Sequence, residues 1–235
     1  MTRIHSRRET EKSMFDIEGN SAAGGGFETH YVRSGPAPGR PESFLWAKRV
    51  FDVAVSLALL PVLFVAGFAL LVLNPFYNRG SLLFIQTRMG QDCKPFRAIK
   101  FRSMVEVDAV ARRADDPLEH DRITPLGMLL RKSRLDELPQ ILNVLVGQMS
   151  LIGPRPDFYD HAVVYLDVVP GYRERHAMKP GISGLAQTEL GYIEGLAATE
   201  RKAAVDLYYI RNASLRLDLW VFWRTLCVVL GRGGK

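Results

Sequence analysis

Asp136 and Glu137 stand side by side in Leu135-Asp136-Glu137-Leu138-Pro139-Gln140, just ahead of an apolar run. An ionised carboxylate can attack phosphorus and form an acyl phosphate. A second carboxylate beside it can hold a divalent cation or move a proton. Such an attack sets negative charge against negative charge, so cations must offset it; Mg²⁺ and Arg or Lys side chains are the usual means. The chain supplies Arg131, Lys132 and Arg134 just upstream, Lys100 and Arg102 earlier, and Arg155 in Ser150-Leu151-Ile152-Gly153-Pro154-Arg155-Pro156. Flanking prolines stiffen the backbone at Arg155, which suits a fixed guanidinium fork aimed at phosphate oxygens. A carboxylate pair alone is more often a helix cap on a solvated surface, so the surroundings must decide.

Those surroundings begin with Pro139. Proline is acceptable only in the first turn of a helix, which predicts a helix starting near Leu138 with the carboxylates at its N-terminus. Free N–H groups and the positive dipole end would then help to keep Asp136 ionised and favour phosphate. Residues 81–86 and 96–102 have strand character, and Gly90-Gln91-Asp92 makes a turn between them. A hairpin of the two would place Lys100 and Arg102 near one end. Thr124-Pro125 fits an N-cap followed by proline at the first helical position. Further helices are predicted over 106–114, 162–169, 197–209 and 215–230. The last combines Trp220, Phe222 and Trp223 with Arg216, Asp218 and Arg224, which suits a membrane interface or docking on the core.

The longest apolar stretch is 53–73, which holds no charged residue. As a helix it would reach about 31 Å, the thickness of a bilayer core. Pro61 near its middle predicts a kink, with Ser56 one turn earlier to serve the freed backbone groups. Basic residues flank it on both sides, Lys48 and Arg49 before and Arg79, Arg88 and Lys94 after. This favours both ends on the cytoplasmic face. The expectation is a re-entrant helix-break-helix rather than a span. The organisation expected is a disordered tail over 1–45, a re-entrant membrane helix over 46–75 and a cytosolic catalytic domain over 76–235. The fold class is α+β, mostly helical, with a short β-hairpin and interfacial amphipathic helices.

The 235 residues carry a formal charge of +6, which suits anionic partners such as phosphate esters or acidic lipid. Cys93 and Cys227 fit no metal-ligand spacing, and the five histidines form no H-x-x-H pattern, so a zinc site built by the protein is not expected. P-loop, D-x-D and G-x-S-x-G motifs are absent, and no helix-turn-helix or aromatic-basic surface points to nucleic acid.

The chain resembles the bacterial sugar transferases, the monotopic polyprenyl-phosphate phosphoglycosyl transferases that start surface glycan assembly. The resemblance rests on Lys48-Arg49-Val50-Phe51-Asp52, Gln86-Thr87-Arg88-Met89-Gly90, Lys100-Phe101-Arg102-Ser103-Met104, the Asp136-Glu137 hexapeptide, Met149 to Pro156 and Lys179-Pro180-Gly181-Ile182-Ser183-Gly184-Leu185-Ala186-Gln187. It implies transfer of a sugar 1-phosphate from a UDP-sugar to undecaprenyl phosphate at the cytoplasmic face of the bacterial inner membrane, with release of UMP. It implies Asp136 as nucleophile, Glu137 as its helper, and Mg²⁺ bridging the pair and the diphosphate. It also implies Arg155 and Arg131 at phosphate-binding or site-shaping positions, Lys100 and Arg102 in a basic element, and a membrane break at Pro61. The expected partners are the UDP-sugar, the polyprenyl phosphate and membrane lipids, with homo-oligomerisation open. The alternative is a non-catalytic membrane adaptor of polysaccharide assembly. Two departures stand out: Thr188-Glu189-Leu190-Gly191-Tyr192 lacks the family's Gly-Arg, and Gln148 replaces a common Glu.

Overall fold

The computed structural model describes residues 39–78, 80–105, 120–190 and 195–231. Nearly all of the expected tail and the helix expected over 106–114 lie outside these residues. The chain opens with α1 (Glu42–Tyr77), a single helix of 36 residues. It is followed by β1 (Leu83–Met89), β2 (Pro95–Phe101), α2 (Pro125–Lys132), α3 (Gln140–Leu145) and β3 (Ser150–Ile152). Then come α4 (Tyr159–Val168), β4 (Gly181–Ser183), α5 (Leu185–Leu190), α6 (Leu196–Asn212) and α7 (Leu215–Leu230).

The hairpin forms as expected: β1 and β2 pair antiparallel, with Phe84 opposite Lys100. Thr124 caps α2, its Oγ1 accepting from Gly127 N at 2.9 Å, with Pro125 next. A second pairing has no periodic signal in the sequence. Strands β3 and β4, three residues each, lie parallel, with Ser150 opposite Gly181. Glycine makes this possible, since a Cβ at Gly181 would sit 2.2 Å from Gly153 N. The main core joins Phe96 and Ala98 of β2, Val144 of α3, Leu151 and Ile152 of β3, Tyr209 of α6 and Val221 of α7.

Helix α1 departs from the expected break. The helix is continuous past Pro61. Proline removes one helical hydrogen bond there, which the rest of a long helix tolerates. Ser56 does not serve the freed backbone; its hydroxyl is buried and makes no hydrogen bond. Its position explains this: Lys48, Asp52 and Ser56 recur every four residues, so they share the face turned to the domain. Lys48 Nζ donates to Asp218 Oδ2 at 2.7 Å and to the Ile152 carbonyl at 2.9 Å. Asp52 Oδ1 accepts from Leu151 N and Ser150 Oγ. Further along the same helix, Leu63, Ala66 and Leu70 pack with Phe101 and Leu130, and Asn74 donates to the Gly80 carbonyl. The opposite face is exposed and apolar, with Phe64, Val65, Phe68 and Phe76 each more than 70% accessible. By length and composition this helix could cross a membrane.

Candidate active site

Asp136 and Glu137 lie in a 3₁₀ turn, Leu135–Glu137, and not in the first turn of a helix. Helix α3 begins only at Gln140, with Pro139 as its N-cap. Arg134 enters the turn with φ 58°, a left-handed conformation that costs a non-glycine residue about 1 kcal/mol or more. Apolar anchors hold both flanks. Leu135 packs with Leu130 and Phe101, and Ile141 and Val144 are fully buried. Asn143 then fixes α3 to the free edge of β2. Its Oδ1 accepts from Ile99 N at 3.1 Å and its Nδ2 donates to the Arg97 carbonyl at 2.8 Å. One side-chain amide thus takes the place of a ladder partner, and it brings Lys100 alongside the turn. Gln148 Oε1 accepts from the same Nδ2, a task that a glutamate carboxylate would do equally well.

Glu137 is gripped by two cations. Lys100 Nζ donates to Oε1 at 2.7 Å, while Arg155 Nη1 donates to Oε2 at 3.2 Å and its Nη2 to Oε1. Burial alone would push the Glu137 carboxyl up, but Arg155 and Lys100 outweigh it and hold the group well below the usual range. Lys100 itself is pushed down to about 8, by burial first and by the nearby Arg155 and Arg88 charges, against the pull of Glu137. Its counter-ion is shared with Arg155, so Glu137 cannot fully offset that burial and repulsion.

Asp136 is the contrasting member of the pair. It is 8% exposed, and its Oδ1 is buried with no hydrogen-bond partner. Burial and the neighbouring Glu137 charge raise its pKa, while Lys100, Arg131 and Arg155 pull the other way. The expected help from a helix N-terminus is therefore not what sets its ionisation, because the residue precedes α3 and desolvation dominates. A partly desolvated carboxylate with a free lone pair and a raised pKa is a stronger nucleophile than a solvated one.

Arg155 is held by its backbone. Four successive carbonyls of its segment accept from donors on three separate parts of the chain. Pro154 O accepts from Gly181 N at 2.9 Å and Arg155 O from Arg175 Nη2 at 2.9 Å. Pro156 O accepts from Arg88 Nη1 at 2.8 Å and Asp157 O from Met89 N at 3.1 Å. An extended proline-bounded segment has no internal hydrogen bonds, so its carbonyls need outside donors. To the restriction expected from the two prolines, these tertiary hydrogen bonds add anchorage at each carbonyl.

The remaining expected residues divide. Arg131 is near enough to lower the Asp136 pKa and donates to Ser103 Oγ at 3.2 Å. Arg102 is buried and donates to Ser81 Oγ, in the loop after α1. Arg88 is an addition: it lines a small recess with Lys100, Glu137, Gln140 and Arg155. Burial and the Arg155 charge depress its pKa to about 10. Its sequence signal was present in Gln86-Thr87-Arg88, which reads equally well as a membrane-flanking charge.

For a divalent cation, Asp136 fits and Glu137 does not in this arrangement. The unpartnered Asp136 Oδ1 is available, whereas both Glu137 oxygens are engaged by Arg155 and Lys100. Among the described residues no group of three or more His, Cys, Asp or Glu side chains could hold a metal. Mg²⁺ commonly binds one or two carboxylates and completes its shell with water and substrate phosphates, so a single aspartate is compatible with it.

The described residues thus combine an exposed apolar helix with a desolvated carboxylate set among arginines and a lysine, a charge pattern complementary to an anionic group. The chain belongs to the bacterial sugar transferase family, whose model matches residues 43–232. It is 42% identical over 202 residues to the exopolysaccharide production protein PSS of Rhizobium leguminosarum bv. phaseoli, covering 79% of this chain and 96% of that protein. It is 40% identical over 191 residues to the UDP-glucose:undecaprenyl-phosphate glucose-1-phosphate transferase of Caulobacter vibrioides, covering 76% and 68%. The enzyme of the same name from Klebsiella pneumoniae is 39% identical over 185 residues, but the match spans only 39% of its length. The chain thus corresponds to nearly the whole of the first relative and to a part of the third.

Proposed function

We propose that the protein transfers a sugar 1-phosphate from a UDP-sugar to undecaprenyl phosphate, through a covalent intermediate on Asp136. The observation that carries this reading is the unequal pair. Asp136 is buried with an unpartnered oxygen, and Glu137 beside it gathers Lys100 and Arg155 into one positive cradle. In the first step an Asp136 oxygen attacks the phosphorus next to the sugar. The bond from that phosphorus to the bridging oxygen breaks, and UMP leaves with the electron pair. In the second step a phosphate oxygen of the polyprenyl carrier attacks the same phosphorus. Polyprenyl diphosphate sugar forms and the Asp136 carboxylate is restored. Arg155, Lys100 and Arg88 offset the charge that builds on the phosphoryl oxygens. Bound at Asp136 and the diphosphate, Mg²⁺ would add charge neutralisation there. Glu137 acts by keeping the two cations in place.

The packing of α1 supports a one-sided membrane arrangement. Lys48, Asp52 and Ser56, and then Leu63, Ala66 and Leu70, turn one face of the helix to the same domain along its length. A straight crossing would separate Arg49 from Leu70 by roughly 30 Å, about a bilayer core. The domain meets both regions, which supports an unbroken helix lying along one membrane surface, both ends on the same side, with its exposed apolar face in lipid. That side is proposed to be the cytoplasmic one, where the nucleotide sugar is available.

The test is UMP release by purified protein across a panel of UDP-sugars, with and without undecaprenyl phosphate. Without acceptor, labelled donor should leave about one label per site on Asp136 and release UMP in a matching burst. Asp136→Asn should release none, and chelation with EDTA should suppress the burst. Full turnover in Asp136→Asn would refute the covalent mechanism, and no UMP release by the wild type with any donor would leave the adaptor reading in its place.

A further inference from the structure

Outside the reacting pair, Arg175 is the most heavily engaged side chain among the described residues. It is 1% exposed, and its donors reach three acceptor groups on two different segments. Its Nε and Nη2 donate to Asp206 Oδ2 of α6 at 2.9 and 2.7 Å. Its Nη1 donates to Asp157 Oδ2, and its Nη2 also donates to the Arg155 carbonyl at 2.9 Å. Asp157 is shared with Tyr172, whose hydroxyl donates to it at 2.7 Å, and with Lys202 at 3.6 Å. None of these groups touches Asp136 or Glu137 in any contact described above.

Resting on the phosphate-binding role proposed for Arg155, we infer that Arg175 is a positioning residue: it clamps the Arg155–Asp157 segment to α6 and so sets where the Arg155 guanidinium points. The clamp holds that segment at two points, the Arg155 carbonyl and the Asp157 carboxylate. A buried guanidinium suits the task because its planar fork can bind both points and Asp206 at once without internal freedom. A lysine there keeps the charge but is a single point with three donors, so at least one of these bonds is lost. The Arg155 fork would then sample several directions, and a loss of alignment of the order of 1 Å is enough to cost an enzyme about 100-fold.

The decisive experiment is a double-mutant cycle in the full-length, detergent-purified protein, crossing Arg175→Lys with Arg155→Lys. Arg175→Lys alone should lower kcat/KM for the UDP-sugar by about tenfold or more while leaving KM for undecaprenyl phosphate within about twofold. With Arg175→Lys already present, Arg155→Lys should cost several-fold less than it does in the wild type. A merely structural role would instead lower both substrates' parameters together and give an additive cycle, and that result would overturn the inference. If Arg175→Lys does not fold, Asp206→Asn, which removes the α6 anchor of the clamp, takes its place in the same cycle under the same criteria. Wild-type turnover in Arg155→Lys alone would refute the phosphate role of Arg155 itself, a failure distinguishable from an additive cycle between two damaging substitutions.

Discussion

Replacing Asp136 by asparagine should abolish transfer and yet make the protein more stable at neutral pH. The wild-type carboxylate is nearly buried, has one oxygen with no partner and lies beside the Glu137 charge. A buried acceptor left without a hydrogen bond costs about 1–3 kcal/mol, and more when charged. Lys100, Arg131 and Arg155 return part of that, and the new amide N–H group must itself find an acceptor. A net gain of about 1–2 kcal/mol remains, which for a domain of this size raises Tm by roughly 2–8 °C. The pH dependence has a definite sign. The folded pKa of Asp136 lies above the ordinary 3.8, so between these values the folded chain binds more protons than the unfolded one. Wild-type stability attributable to this group therefore falls as pH rises through that window, and the penalty is complete above the folded value. The advantage of Asp136→Asn should be full at neutral pH and should shrink as pH is lowered towards 3.8. Thermal unfolding of both proteins in one detergent, at several pH values and alongside UMP release, measures this. A variant less stable than wild type at neutral pH, or a gain independent of pH, would refute the claim that Asp136 is held ionised at a cost.

Two further outcomes concern charge and topology. Lys100 loses its proton at about 8 in the folded protein, so kcat/KM for the UDP-sugar should fall as pH rises through that value. Its stability effect has the opposite trend: between about 8 and the ordinary 10.5 the unfolded chain binds the extra proton, so stability attributable to Lys100 rises with pH there. Lys100→Arg should move the alkaline limb of activity upward, and an unmoved limb would assign it to another group. For topology, Asn20→Cys and Val110→Cys, each in a background lacking Cys93 and Cys227, should both be shielded from an impermeant thiol reagent in intact cells. Labelling at position 20 alone would mean that α1 spans the membrane.

Features whose information is local could be read from the chain before it folds. Thr124-Pro125 starts a helix because its hydroxyl and fixed φ act within one turn, and the alternation through residues 96–102 makes a strand for the same short-range reason. The uncharged stretch 53–73 announces a helix fit for lipid, since burial of apolar surface is read residue by residue. The pairing of Asp136 and Glu137, and the candidacy of Lys100, Arg131 and Arg155, were also legible, because phosphate chemistry needs carboxylate and cation together. What the sequence could not assign was which charge meets which. Glu137 took Lys100 and Arg155, Arg102 turned to Ser81, and Arg88 arrived from β1. Those choices depend on the register of the hairpin and on Asn143 fixing α3 to its edge. The raised pKa of Asp136 likewise comes first from burial in the folded chain, which the local sequence does not show. Three-residue strands such as β3 and β4 carry no period to detect. The rigidity of Arg155 needed Gly181, Arg175 and the neighbours Arg88 and Met89, donors from three separate segments that only a folded chain brings together, because an extended backbone can satisfy its carbonyls only from outside itself.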